Sequence, residues 1–371
     1  MTSEAESALC AGVRDFGKRT LSASVLTLDA QVQPEPPWAI LSQAEELGLT
    51  LATAPQELGG AELGLPGAAL VVEELAAVCA GFATIIASSL LGMAPLLLAG
   101  DMEKAKGLLD LPRAAGATCK VAAVVMPDTG RPSAVEATGV GDDYILNGTA
   151  PFVCNAGAAW LHGVLAATNQ GMMWLAVPSS TPGLVVSAPI RKLGLNIVSC
   201  RDLLFEDVRV GPDMVLSRGA QAEAALRCIE MQRQRLVGAL ALGCTRAALR
   251  EGDNYSRQRR QGGQIIAHHD AIKNLLVDIE IGLVAARALL EQSGGAADNM
   301  VISVLARILA TETACQATTN AVQIFGGYGY TKDFVVEKLM RDSQQLALIG
   351  GSNGWLRVWV AQQQETGSFL F

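Results

Sequence analysis

Between residues 118 and 212 the chain changes its hydrophobic period, and this change limits the folds open to it. Earlier in the chain, Trp38, Ile40, Leu41, Ala44 and Leu47 recur at helical spacing and Gly48 closes the run. Inside the interval the apolar residues gather into short β-rich runs: 121–125, 144–146, 165–168, 173–177, 183–187 and 203–210. Gly, Pro, Asn and Asp separate these runs, as expected of strands joined by turns. Beyond residue 220 the helical period returns in four segments, roughly 220–258, 268–292, 298–325 and 334–364, with Gly-rich breaks near 262 and 294. The pattern predicts an α+β multidomain chain. A helical domain spans 1–117, a small β-barrel or sandwich 118–215, and an antiparallel four-helix bundle 216–371.

With 371 residues, 50% of them hydrophobic, the chain is long enough to bury a large core. A formal net charge of −8 argues against nucleic acid or an anionic membrane as the main partner. Residues 75–100 carry no charge and are long enough to cross a bilayer. Gly81, Gly92, Pro95, Thr84 and Ser88-Ser89 interrupt them, so two consecutive buried helices are expected instead. The eight cysteines show neither CxxC nor zinc spacing and read as small core residues in a reducing compartment. The three histidines likewise lack metal-site spacing. The acidic, polar opening MTSEAESALC has no signal-peptide pattern, so a cytoplasmic location is expected.

Residues 321–342, AVQIFGGYGYTKDFVVEKLMRD, are the most specific stretch. An apolar run ends in Gly326-Gly327, an aromatic turn follows, and a second amphipathic run begins at Val335. A bare glycine pair after a helix is usually a cap. The whole stretch, however, resembles the cofactor-binding segment of the acyl-CoA dehydrogenase family. The resemblance extends to Pro55, Gly59, Gly60 and Glu74 near the start, and to Asp143-Tyr-Ile-Leu-Asn147-Gly148 and 204–210 in the middle. It implies FAD, an acyl-CoA substrate, an electron-transfer flavoprotein as acceptor, and a flavin site shared between two subunits.

The two halves of that implied site differ. In the bundle half, Tyr255-Ser-Arg-Gln-Arg259-Arg-Gln-Gly262-Gly263 follows the family's Y-x-x-x-R-x-x-F-G, which puts Arg259 in the pyrophosphate-binding place. A guanidinium suits that role because its planar fork donates two hydrogen bonds to phosphate oxygens. Gln323, Gly326 and Gly327 also match, and Ser352 keeps a hydroxyl where the family has Thr. Gly262 in place of Phe, and His269-Asp270 in place of Phe-Gln, depart from the pattern.

The middle-domain half is eroded. Of the family's A-x-T-E-P-x-A-G-S-D loop only Pro127 and Gly130 survive, and Val125 has lost the hydroxyl. In Ala150-Pro-Phe152-Val-Cys154-Asn155, Phe152 could stack on a flavin, while Cys154 stands where Thr normally serves.

Both places where the family carries its glutamate base are empty of a carboxylate, being Gly350 and Gln234. Glu230, one turn before Gln234, is a candidate substitute, with a solvated or ion-paired surface Glu as the alternative. Retention of what a neighbour borrows, with loss of what the chain itself needs, points to one subunit of a heteromeric α2β2 acyl-CoA dehydrogenase. Its expected partner is a homologous chain carrying the glutamate, and its expected substrate a bulky acyl-CoA such as a steroid side chain. Two alternatives stand beside this reading. One is a self-sufficient homo-oligomeric acyl-CoA or acyl-carrier-protein flavoenzyme with a relocated base or other chemistry, and the other a flavin-free structural homologue.

Overall fold

The computed structural model describes residues 4–31, 35–112, 117–295 and 299–365. The N-terminal helices are α1 (Glu4–Phe16), α2 (Val25–Asp29), α3 (Trp38–Glu46), α4 (Leu65–Ala99) and α5 (Met102–Leu109). Strands β1 (Ala122–Val125), β2 (Val135–Val140), β3 (Asp143–Val153), β4 (Leu161–Thr168), β5 (Gly171–Pro178), β6 (Leu184–Val186), β7 (Arg201–Val210) and β8 (Val215–Arg218) follow. They form one sheet in the order β6-β7-β3-β2-β4-β5-β8, with β1 also pairing β4. The C-terminal part consists of α6 (Gly219–Gln258), a short hairpin of β9 (Arg260–Gln261) and β10 (Gln264–Ile265), α7 (Asp270–Gly295), α8 (Met300–Phe325), α9 (Val335–Leu346) and α10 (Asn353–Glu365).

Strand β4 shows how the sheet meets the helices. It is buried almost throughout, and its alternate residues serve different cores. Leu161 and Leu165 join the helical core, whereas Val164 and Ala166 join the apolar interior of the sheet domain. Helix α4 lies directly on this strand. A Cβ at Gly92 would stand 2.7 Å from the Ala123 nitrogen, and one at Gly163 would stand 2.8 Å from the Gly92 carbonyl oxygen. Glycine at both places lets helix and sheet backbones touch.

Two expectations need correction, and one a change of place. Residues 75–99 do run through two consecutive buried helical stretches, both within α4, but these meet at a kink at Cys79 (φ −152°, ψ 104°) and not at Gly81, Gly92 or Pro95. Loop 194–198 of the sheet domain presses on α4 just beyond that break, where a Gly81 Cβ would meet Ile197 at 2.1 Å. The buried Asp342 carboxylate accepts the Leu195 N–H at 2.6 Å and pairs with the buried Lys338. Most of the apolar window of α4, 89%, is buried inside the protein. The segment 334–364 is not one helix: α9 and α10 are separated at 347–352, where Gly350 and Gly351 both have positive φ. Strands β2 and β8 have no counterpart among the expected runs. β2 carries Glu136, Thr138 and Gly139 and is largely exposed beyond Ala137, so its apolar alternation is short.

Arginines from three helices converge on the adjacent carboxylates of α4. Arg246 bonds to both Glu73 (2.7 Å) and Glu74 (3.0 Å), Arg287 to Glu73 (2.6 Å), and Arg14 to Glu74 (2.9 Å), while Arg250 bonds the Ala77 carbonyl. Burial pushes the Glu74 carboxyl up, but the hydrogen bonds from Arg14 and Arg246 outweigh it and hold it below the usual carboxylate range. The stabilisation is therefore complete above the unfolded carboxylate pKa, about 4.3, and is lost as pH falls through the lower folded value. Arg246→Met is expected to cost about 2–4 kcal/mol at neutral pH, because it leaves buried carboxylates short of a partner. Urea midpoints for the two proteins should converge as the pH is lowered below about 4. A gap independent of pH would show that packing, not charge, is what Arg246 supplies.

Candidate active site

An aromatic cluster assembles the exposed half of the site. Tyr255 near the end of α6 stacks on Phe325 at the end of α8, with ring centroids 4.0 Å apart. Phe334 meets Phe325 edge-on at 5.3 Å and Tyr328 at 5.7 Å. This packing brings the C-terminal ends of α6 and α8 to the start of α9. Arg259, the residue that ends α6, lies over the Tyr328 ring at 5.4 Å and forms no ion pair among the described residues. Its neighbour Arg257 is already held by Asp253 at 2.8 Å. Gln323, Gly326 and Gly327 are exposed on the same end of the bundle. Gly326 ends α8 at φ 59°, ψ −136°, and the space where its Cβ or that of Gly327 would project is open. Gly262 and Gly263 form the two-residue turn of the β9–β10 hairpin, both with positive φ. A Cβ at Gly262 would carry the strain of φ 60° and stand 3.3 Å from the His269 ring. His269 packs against the hairpin, its Nε2 3.0 Å from the Gln261 carbonyl.

An unpaired guanidinium beside a free amide and open backbone suits a pyrophosphate. The residues of this half fit the ADP part of FAD, although the face is open to water.

The other half is closed. Thr129, in the loop after β1, is the hub of a buried polar cluster. Its hydroxyl donates to Glu230 Oε2 (3.1 Å) and accepts from Gln234 Nε2 (2.9 Å) and Arg233 (3.2 Å). Arg233 forms an ion pair with Glu230 at 2.6 Å and donates to the Pro127 carbonyl at 3.0 Å. Arg307 on α8 donates to Gln234 Oε1 (3.3 Å) and to the Gly351 carbonyl (2.9 Å). Trp355 Nε1 donates to the Thr129 carbonyl at 2.7 Å, and Arg131 lies over the Trp355 ring at 3.8 Å. Gln234 and Arg307 are fully buried, and Glu230 and Arg233 are 6% and 5% exposed. Glu230 is therefore neither solvated nor at the surface, and its carboxylate is occupied. Burial and the charge of Arg233 push the Arg307 guanidinium down to about 9, partly offset by Glu230 and Asp128. The Nε atoms of both arginines lack an acceptor among the described residues.

Gly350 sits against this cluster. It has φ 69°, and a Cβ there would lie 2.5 Å from Arg233 Nε and 2.6 Å from its Cζ. The guanidinium fills the space into which a side chain at 350 would project. Ser352 caps α10, its hydroxyl accepting the Trp355 N–H at 3.3 Å. Thr129, Arg233 and Arg307 are site residues that sequence reasoning missed. Arg307 left a signal, a lone cation inside the apolar run 300–311, and Thr129 left none.

Phe152 and Cys154 stand at the end of β3. Phe152 is 45% exposed, has the unusual φ of 57°, and its N–H is fixed by Asp202 Oδ1 at 2.8 Å. Asn155 anchors the following turn to the Ile85 carbonyl at 2.9 Å. Cys154 Sγ is engaged with Cys200 Sγ at 3.6 Å. Val125 is buried in the sheet interior. Phe152 offers a ring face, but Val125 and Cys154 supply no free strong donor, so this half does not fit a flavin ring as the bundle half fits ADP. The Phe152–Cys154 face and the Arg259 face lie on separate domains, with no hydrogen bond or ring contact between them among the described residues.

The family models for the N-terminal, middle and C-terminal domains of acyl-CoA dehydrogenase match residues 3–111, 127–208 and 222–364. Cyclohexane-1-carbonyl-CoA dehydrogenase of Syntrophus aciditrophicus is 31% identical over 337 residues, 86% of each chain. The structure of butyryl-CoA dehydrogenase from Megasphaera elsdenii superposes with a TM-score of 0.88 at 27% identity, covering 98% of this chain and 99% of that one. A chain from a structural study of the electron transferring flavoprotein of Acidaminococcus fermentans gives the same score at 26% identity, covering 98% of each.

Proposed function

The chain belongs to the acyl-CoA dehydrogenase family of FAD-dependent oxidoreductases, and from that premise we propose that it is the base-less subunit of a heteromeric enzyme. It lends its bundle face to the FAD of a homologous partner, and the partner carries the glutamate. The observation that carries this reading is the packing at Gly350. Arg233 occupies the place where a side chain at 350 would reach, while Arg259, Gln323 and Gly326 remain exposed, and Arg259 forms no ion pair among the described residues.

Removing the α-proton of an acyl-CoA needs a carboxylate within hydrogen-bond reach and free to accept it. Glu230 is spent on Arg233 and Thr129, and Gln234 is an amide. FAD, when bound, would supply the hydride acceptor for the β-carbon, and in this assignment that chemistry belongs to the partner's pocket. The part played by this chain is to hold the pyrophosphate with Arg259 and to seal the cofactor from water. A bulky acyl-CoA is the proposed substrate and an electron-transfer flavoprotein the proposed acceptor; the relative from Syntrophus is itself named for a ring-bearing acyl-CoA.

Flavin stoichiometry tests the assignment. The chain purified alone should hold FAD poorly. Co-purified with a homologous chain that carries the glutamate, it should yield one FAD per partner chain and none per copy of its own. A yellow homo-oligomer with one FAD per chain that oxidises an acyl-CoA would sink the proposal.

A further inference from the structure

We propose that Cys154 and Cys200 form a reversible dithiol–disulfide pair, a redox modification site that ties the strand bearing Phe152 to the loop leading into β7. The sheet register places them together. Val153 of β3 and Arg201 of β7 form the last rung of an antiparallel ladder, and Cys154 and Cys200 flank that rung, one just past β3 and the other just before β7. Paired residues in such a ladder have Cα atoms about 4.5–5.5 Å apart, so the flanking residues start near the separation a disulfide spans. The sulfurs are already in contact at 3.6 Å. Closing to a bond of about 2.05 Å needs side-chain rotation, with no need for the strands to move.

The two sulfurs are not equivalent. Cys154 is half-buried, at the end of a strand next to the exposed Phe152, and Cys200 is buried. The contact with Cys200, with the Lys192 charge and the Ser88 hydroxyl nearby, holds the Cys154 thiol below its usual range despite its burial. Cys200 is pushed well above that range. Cys154, the more exposed of the two, is the thiol an oxidant reaches first, and Cys200 is the resolving thiol.

With hydrogen peroxide as the oxidant, the Cys154 thiolate attacks one peroxide oxygen. The O–O bond breaks, hydroxide leaves and takes the proton released by Cys154, and a sulfenic acid remains. Cys200 sulfur then displaces the sulfenic hydroxyl, and its proton leaves with that hydroxyl as a second water. Two thiols have lost two electrons and one peroxide has become two waters.

The consequence is local. Arg201 bonds the Ser187 carbonyl, Asp202 accepts the Phe152 N–H, and Leu195 is held by Asp342, so the oxidised pair would add a covalent link to a loop already tied to β3 and α9. This site does not depend on which subunit holds the flavin.

The test uses the full-length chain, treated with limiting hydrogen peroxide, alkylated and mapped by peptide mass spectrometry. A cross-linked peptide containing Cys154 and Cys200 should accumulate about tenfold faster than any other cysteine is lost. Dithiothreitol should abolish it. Cys200→Ser should divert Cys154 to sulfinic acid, and Cys154→Ser should leave Cys200 a free thiol at the same dose. The proposal is overturned if both cysteines are still alkylated once others have oxidised. It is equally overturned if the cross-link forms no faster than scattered oxidation, or if Cys200→Ser leaves Cys154 unoxidised.

Discussion

Gly350→Glu is expected to create no dehydrogenase and to lower stability by about 3–5 kcal/mol. Two costs add. A residue with a Cβ held at φ 69° pays about 1–2 kcal/mol for the left-handed conformation. The new Cβ also lands 2.5 Å from Arg233 Nε, so the guanidinium must leave Glu230 or the Pro127 carbonyl. Leaving a buried carboxylate without its partner is the larger of the two costs. Gly350→Ala separates the contributions, since it brings the strain and the clash without a second carboxylate. It should show most of the loss in chemical denaturation. Anaerobic mixing with a panel of acyl-CoAs should leave any bound flavin yellow in both variants. Clear bleaching by Gly350→Glu alone would show a competent flavin pocket within this chain.

Arg259→Ala should lower FAD occupancy of the co-expressed complex by about ten- to a hundredfold in affinity, because a charge-assisted pair to pyrophosphate contributes about 1.5–3 kcal/mol. The side chain is exposed and has no ion-pair partner among the described residues, so its loss should leave the melting temperature of the isolated chain nearly unchanged. That separation of readouts distinguishes a ligand contact from a structural one. The retained motif is an evolutionary remnant if occupancy is unchanged, and the flavin-free reading then takes the lead. Gln234→Ala is not a neutral control: Gln234 is fully buried and bonded to Thr129, Glu230 and Arg307, so it is expected to destabilise the chain.

Much of the architecture was legible because it rests on local period. The strands at 122–125, 171–178 and 201–210 and the helix closed by Gly48 follow from alternation, helical spacing and turn residues. What escaped the reading depends on partners far apart in the chain. Cys79 breaks α4 although nothing at that position is a helix breaker; loop 194–198, more than a hundred residues later, lies against that region. The split of α9 from α10 does have a local sign in Gly350-Gly351, but in the sequence the missing carboxylate at 350 masks the helix stop that the same two glycines make.

At the site, Arg259, Gln323 and Gly326-Gly327 were readable as a motif, and the structure gathers them on one face. The plug of Arg233, Glu230, Thr129 and Arg307 was not, because it joins residues up to 178 positions apart through side-chain hydrogen bonds that leave no periodic trace.

Helix α4 has one more consequence. Its residues belong to a single apolar core that also contains Leu161 and Trp174 from the sheet and Leu236 and Leu240 from α6. A rod that is interior to both neighbours leaves no smooth plane along which they could slide, and no slender connector about which they could swing. Opening of the buried polar plug is therefore expected to require side-chain rotation, as of Arg233, and not movement of a domain.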